Sequence, residues 1–107
     1  MWFIFPQLRE LGESEFSLKY GLVGIAEAKA YLDHEILASR LNLCTDIVLG
    51  LAGKTAIEVF GKVDAQKLRS SMTLFELISK NYRKFPLVLD KYYSGKRCPL
   101  TLEIVNK

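Results

Sequence analysis

The chain has one histidine, one tryptophan, two cysteines and three prolines in 107 residues. Each scarcity excludes something. With His34 as the single histidine, no His-rich metal centre can be assembled. Cys44 and Cys98 stand far apart and fall in no CxxC pattern, so neither a disulfide framework nor a zinc site is expected. Long apolar runs are also missing. The apolar opening, Trp2-Phe3-Ile4-Phe5, stops at Pro6 and has no basic stretch before it. It reads neither as a signal peptide nor as a membrane span, and the expectation is a cytoplasmic protein with no membrane partner. Excess charge of one sign is scarce too. A net charge of +3 is well short of a dedicated nucleic-acid binder, so nucleic acid is not the expected partner. Lys80, Arg83 and Lys84, like Lys91, Lys96 and Arg97, read as solvated surface. There is no repeat, no low-complexity tract, no linker and no sustained period-two alternation bounded by hairpin turns.

What is present is a globular composition, 50% hydrophobic and 25% charged, in a length that fits one domain over residues 1–107. Such a chain buries a single core with little stability to spare. Apolar spacing is helical almost throughout. Residues 14–20 form a short helix closed by Gly21. Residues 25–32 put Ile25, Ala28 and Leu32 on one face. The most regular segment repeats Ile36, Leu37, Leu41, Cys44, Ile47, Val48 and Leu51 at three- and four-residue steps, with Cys44 read as a small buried hydrophobe and Gly53 as a C′ glycine. Thr55-Ala56-Ile57-Glu58 is a capping box. Its helix is predicted to stop at Gly61, with Asp64 as the N-cap of a new helix to about residue 79 that buries Leu68, Met72 and Phe75.

Phe85-Pro86 begins another helix, with Leu87, Val88 or Leu89, and Tyr92 on its apolar face and Gly95 at its end. Pro99 opens a last short helix over residues 100–105. Strands at Leu87-Val88-Leu89 or Phe3-Ile4-Phe5 are the alternative. The predicted fold is a single-domain, all-α compact bundle of about six to seven short helices, whose brief connections make neighbours of consecutive helices. Four large apolar residues at a terminus are unusual, and read as a segment docked into the core or as the interior of a longer helix.

The candidate site residues lie in two groups. Ser70, Ser71 and Thr73 are poor helix formers set beside a core face, where small hydroxyls serve close packing or binding. Lys67 and Ser71 share a helix face, with Ser70 beside them, near a helix start where a phosphate or carboxylate is held. The plainer reading is a solvated lysine and serines bonded back to carbonyls. Gln7 and Arg9 follow Trp2 and Phe5, an amide and a guanidinium next to rings that could stack on a base; the plainer reading is a polar contact between helices. Asp90 and Lys91 read as a solvated face, His34 as a cation at a helix end, and Asp64 as a cap rather than a general base.

Several strings then become recognisable together: Met1-Trp2-Phe3-Ile4-Phe5-Pro6-Gln7-Leu8, Ala30-Tyr31-Leu32-Asp33-His34, Phe60-Gly61, Asp64, Lys67-Leu68, Ser70-Ser71-Met72-Thr73-Leu74-Phe75 and Val88-Leu89-Asp90-Lys91-Tyr92-Tyr93. Over essentially the whole chain they resemble domain-of-unknown-function family 1810, whose bacterial members are often labelled calpastatin. The resemblance implies a predominantly helical fold. It departs from the family at Glu35, where a proline is usual, and at Cys98, where an aspartate is commoner. Family members also carry a further segment before the Trp-Phe-Ile-Phe string. The lack of such a helix is expected to expose apolar surface and to invite homodimerisation through the N-terminal segment. In the order of His34, Leu37, Arg40-Leu41, Phe60-Gly61, Asp64, Leu68 and Met72, the chain is also similar to the NADAR family, which removes ADP-ribose from modified targets.

Two functional readings follow. The first is a non-catalytic module that binds a small phosphate-bearing, nucleotide-like ligand or a protein partner. The second is a NADAR-like N-glycosidase acting on ADP-ribosyl or nucleotide substrates, with Asp64, Lys67 and Ser71 around the phosphates. The first is preferred, because no acid–base pair or metal cluster is evident and no cofactor is implied.

Overall fold

Side-chain caps start three of the helices. Ser14 accepts from the Ser17 amide at 3.2 Å and opens α1, Glu15–Tyr20. His34 opens α3, Glu35–Gly50, directly after α2, Ile25–Asp33. At Thr55 both arms of the capping box are made, the Thr55 hydroxyl accepting from the Glu58 amide and the Glu58 carboxylate from the Thr55 amide, and α4 runs over Ala56–Ile78. Then come α5, Lys84–Tyr93, and α6, Pro99–Val105, with proline in the first turn where its missing N–H costs nothing. A single 3₁₀ turn, Arg9–Leu11, precedes α1. The computed structural model describes residues 4–12, 14–79 and 83–106, and among them every regular element is helical. The fold is all-α. Its radius of gyration, 12.7 Å, is that of one globule, about 13 Å being usual for this length.

The core forms around the inner face of α4. Leu68, Met72 and Phe75 are fully buried there, as their spacing predicts, together with Leu74. They meet Phe85, Val88 and Leu89 of α5, and Leu41 and Val48 of α3. Phe75 stacks at a tilt on Phe85, with centroids 5.6 Å apart, and on Tyr31 at 5.7 Å. α5 also caps α3: Lys91 Nζ donates to the carbonyls of Leu49 and Leu51, and Tyr92 Oη to that of Val48. These carbonyls lie at the end of α3, where that of Val48 also accepts from the Leu51 amide, so Lys91 is a C-terminal cap rather than a solvated side chain.

The structure corrects several expectations. Asp64 is not an N-cap. The backbone breaks three residues earlier, at Gly61 (φ 82°, ψ 165°), a left-handed conformation that favours glycine, and helix resumes at once. Glycine at the kink replaces a side-chain cap, so the two predicted helices become one bent α4. Gly53 also has positive φ (69°), but the C-cap of α3 is Leu51. The apolar stripe of α3 is wider than its buried side: Leu41 and Val48 are buried while Ile36 and Ile47 are exposed and Cys44 is half-buried. Leu87 is likewise exposed, Val88 and Leu89 forming the buried face of a helix rather than a strand. His34 closes α2 as expected, its amide donating to Ala30 O and Tyr31 O, and it also opens α3, Nδ1 accepting from the Leu37 amide at 3.3 Å.

The N-terminal segment is docked. Phe5 is buried and packs edge-on against Phe60, centroids 6.5 Å apart; the strand expected at residues 3–5 lies partly outside the described residues, and Ile4 and Phe5 sit in a turn and a bend. The segment is tied down by a single parallel bridge between Leu8 and Leu22, in which the Leu22 amide donates to Gln7 O at 2.9 Å and the Arg9 amide to Leu22 O at 2.8 Å. Gly21 permits this contact. A Cβ there would lie 2.3 Å from Ser17 O and 2.6 Å from Arg9 Cα. Both are backbone atoms that cannot yield without moving the bridge. Gly21→Ala is expected to cost about 2 kcal/mol or more, the scale of overpacking at a rigid site, measured by urea denaturation.

Candidate functional site

The bridge at Leu8 fixes Gln7 against α4. Gln7 is 3% exposed, and its carbonyl is satisfied by Leu22. Gln7 lines a cavity of about 500 Å³ between the N-terminal segment, α4 and the strap that joins α5 to α6. Restarting α4 after Gly61 sets the register that lines this cavity. Lys62, Gln66, Lys67 and Ser70 fall on one face of the second arm at one-turn spacing, and Cys98 closes the far side. Among the described residues, two cations and no carboxylate stand in the lining.

Cys98 is held by α4. The strap is pinned by the Arg69 guanidinium, which donates to Lys96 O at 2.8 Å and to Arg97 O at 2.7 Å. Arg97 in turn forms a two-bond ion pair with Glu76, at 2.9 and 2.6 Å, which raises the guanidinium pKa further. The Cys98 amide donates to Thr73 Oγ1 at 3.0 Å, while the Thr73 hydroxyl donates to Arg69 O at 2.8 Å. The Ser70 hydroxyl lies 3.1 Å from Gln66 O and 3.2 Å from Cys98 Sγ, and its single proton is shared between them. Burial opposes ionisation of the thiol, but the Ser70 and Thr101 hydroxyls and the amides of Thr101 and Leu100 together outweigh it and lower the pKa. Thr101 Oγ1 is itself buried with no partner of ordinary hydrogen-bond geometry, so it remains a spare donor beside the sulfur.

Of the residues expected at a site, Gln7, Lys67 and Ser70 come together in this cavity. The others do not. Arg9 is exposed on the 3₁₀ turn, and Trp2 lies outside the described residues. Ser71 points into the interior, fully buried, with an unpartnered hydroxyl. Asp64 lines a different cavity of about 370 Å³, with Ile4, Phe5, Ile47 and Phe60. Asp64, Lys67 and Ser71 therefore surround no common space. The sequence reading missed Lys62, Gln66 and Cys98. The first two would have followed from a helix register begun at Gly61; Cys98, 28 residues from Ser70, carried no local signal.

A further cavity, of about 220 Å³, lies beside Tyr92 and Tyr93, but Arg69 on its wall already serves the strap and Tyr93 Oη donates to Ala65 O. Burial raises the Tyr93 pKa, keeping that donor protonated. Among the described residues no three of His, Cys, Asp and Glu gather in a metal-ligating cluster, and no helix is long and apolar enough to cross a membrane.

These features define a small all-helical domain with a cation-lined pocket between its N-terminal segment and its longest helix. The chain belongs to the family described as a protein of unknown function, DUF1810, which matches residues 1–105. The crystal structure of the conserved hypothetical protein Rv1873 from Mycobacterium tuberculosis is similar, with 42% identity over 99% of this chain and 76% of that one, and a TM-score of 0.97. No curated protein matches the chain.

Ser71 and Thr73 of α4 are expected to respond to truncation in opposite directions. Ser71→Ala removes a buried hydroxyl that bonds to nothing and should raise stability by about 0.5–1 kcal/mol. Thr73→Ala strips the Cys98 amide of its acceptor and should lower stability by about 1–3 kcal/mol. Guanidinium titrations of the two variants check the contrast.

Proposed function

We propose that this domain is a non-catalytic module that holds a small phosphate-bearing anion in the cavity lined by Gln7, Lys62, Lys67 and Ser70. The observation that carries this reading is the lining of that cavity, in which Lys62 and Lys67 stand with the Gln7 amide and the Ser70 hydroxyl around a space of about 500 Å³. The two lysines favour an anion, and no carboxylate stands among the described lining residues. The volume lies within the range of about 300–1,000 Å³ usual for small-molecule pockets.

A melting experiment with inorganic phosphate, pyrophosphate and a nucleoside diphosphate tests the reading. A ligand at a hundred times its Kd is expected to add about 2.7 kcal/mol to stability and to raise Tm by several degrees. Lys67→Ala should weaken the shift. Gln7→Leu should abolish it, since the amide is then lost from the lining. A shift that survives Gln7→Leu, or no shift with any of the three anions, overturns the reading.

A protein-partner role has its own support in the cavity that contains Asp64. Ile4 and Ile47 line it and are 41% and 58% exposed, next to buried Phe5. Contiguous apolar surface of this kind marks contact sites, and a second copy of the chain is the simplest occupant. Sedimentation equilibrium should then show a concentration-dependent dimer that Ile47→Glu dissociates without lowering Tm. A monomer at all concentrations removes the homodimer reading.

A further inference from the structure

Helix α3 turns three large aliphatic side chains away from the core. Ile36, Leu43 and Ile47 are 56%, 61% and 58% exposed, while Leu41, Thr45 and Val48 are buried on the opposite side. Steps of seven and four residues put the three on one face, as in the seam of a coiled coil. Ser39, Arg40, Asp46 and Gly50 stand between and beside them, all exposed. Ile47 also lines the cavity that contains Asp64, so this face continues the apolar surface given above to a second copy. We propose that two copies of the chain pair through this face of α3, antiparallel, about a two-fold axis at Leu43. The pairing deepens the homodimer reading and rests on it.

Three features support the assignment. The first is shape. With Leu43 against the partner's Leu43, an antiparallel pair sets Ile47 level with the partner's Ser39 and Ile36 level with the partner's Gly50. Each large side chain meets a small one, and the two-fold axis makes every such contact twice. The second is Gly50 itself. It closes α3 in helical backbone, it is not among the glycines with positive φ, and an added Cβ would meet nothing within 4 Å. Glycine weakens a helix relative to alanine, and no contact within the chain calls for one here. The partner's Ile36 does.

The third is charge. The same register puts Arg40 level with the partner's Asp46, and Asp46 level with the partner's Arg40. Arg40 forms no ion pair with any described residue. Asp46 holds Lys84 at 2.9 Å through Oδ2, which leaves Oδ1 for a guanidinium. A parallel pair would instead bring the two Arg40 side chains to one level. The face is thus self-complementary in one direction only, as a two-fold interface requires.

Sedimentation equilibrium of the full chain reads the dimer, and substitutions on α3 read its geometry. Arg40→Asp and Asp46→Arg should each raise the dimer Kd by about tenfold or more, since each sets like charges against one another at both ends of the pair. The Lys84 pair lost with Asp46→Arg is exposed and contributes little to the fold. An equimolar mixture of the two variants should recover the wild-type affinity, because every facing pair in the mixed dimer is again opposite in charge. Gly50→Leu should weaken the dimer while the monomer keeps its Tm, the space beside Gly50 being open. Under mild oxidation Leu43→Cys should form an intermolecular disulfide, mapped by peptide mass, since the axis brings its two Cβ atoms to the spacing of about 4 Å that a disulfide requires. Ile36→Cys should not, the two copies of that position lying about 21 Å apart along the helices. A monomer at every concentration overturns the homodimer reading and the pairing together. A dimer indifferent to both charge reversals and to their mixing overturns the α3 pairing and leaves the homodimer reading standing. A disulfide through Ile36→Cys overturns the antiparallel direction.

Discussion

The close seating of residues 96–98 on the hydroxyl-bearing face of α4 is the constraint on which the rest depends. A helix with large side chains at residues 70 and 73 would hold the strap away. With serine and threonine there, Thr73 serves two backbone groups at once, donating to Arg69 O and accepting from the Cys98 amide. Arg69 spans the same contact from one turn earlier and satisfies the Lys96 and Arg97 carbonyls. Carbonyls and amides in a turn between two helices would otherwise need water. Once the strap is fixed, α5 must end at Ser94 and α6 must begin at Pro99. The length of α5 places Lys91 and Tyr92 over the last carbonyls of α3. Three helices thus take their positions from one polar stripe.

That stripe explains why serines and a threonine sit beside the core face of a helix that would be stronger with alanines. Their helix propensity is poor because their hydroxyls compete for backbone groups. In α4 this competition is put to use: Ser70 bonds back to Gln66 O and Thr73 to Arg69 O, and each hydroxyl then presents an oxygen to the strap. Ser71 is the exception. It faces the interior, bonds to nothing, and gains nothing for the fold except small size.

How much of this was legible in the sequence depends on the range of the signal. The Thr55 capping box and Pro99 act within three residues of themselves and are legible, as is the buried row Leu68, Met72 and Phe75, while Ser14, expected inside the first helix, is its N-cap. Asp64 was misread because aspartate and glycine both mark helix starts, and only the backbone angles at Gly61 decide between them. The exposed side of α3 was misread because Ile36 and Ile47 are as apolar as Leu41 and Val48; periodicity ranks faces but does not limit their width. Gln7, Lys67 and Ser70 were identified by residue type, whereas their meeting in one cavity depends on the Leu8–Leu22 bridge and on Gly21, neither of which has a local pattern.

The unpaired groups are informative because the fold has little energy to spare. A domain of this size is stable by about 5–15 kcal/mol, and each buried, unsatisfied polar group takes about 1–3 kcal/mol from that margin. Among the described residues three such atoms are buried without a partner: Asn42 Oδ1, Ser71 Oγ and Thr101 Oγ1. The Ser71 hydroxyl gains nothing in return, which is why Ser71→Ala is expected to stabilise the domain. Thr101 sits beside Cys98, where its hydroxyl helps to lower the thiol pKa. At the strap and at the end of α3 the polar atoms are satisfied within the fold, whereas Gln7, Lys62, Lys67 and Ser70 border open space, and it is there that a polar guest has groups to meet.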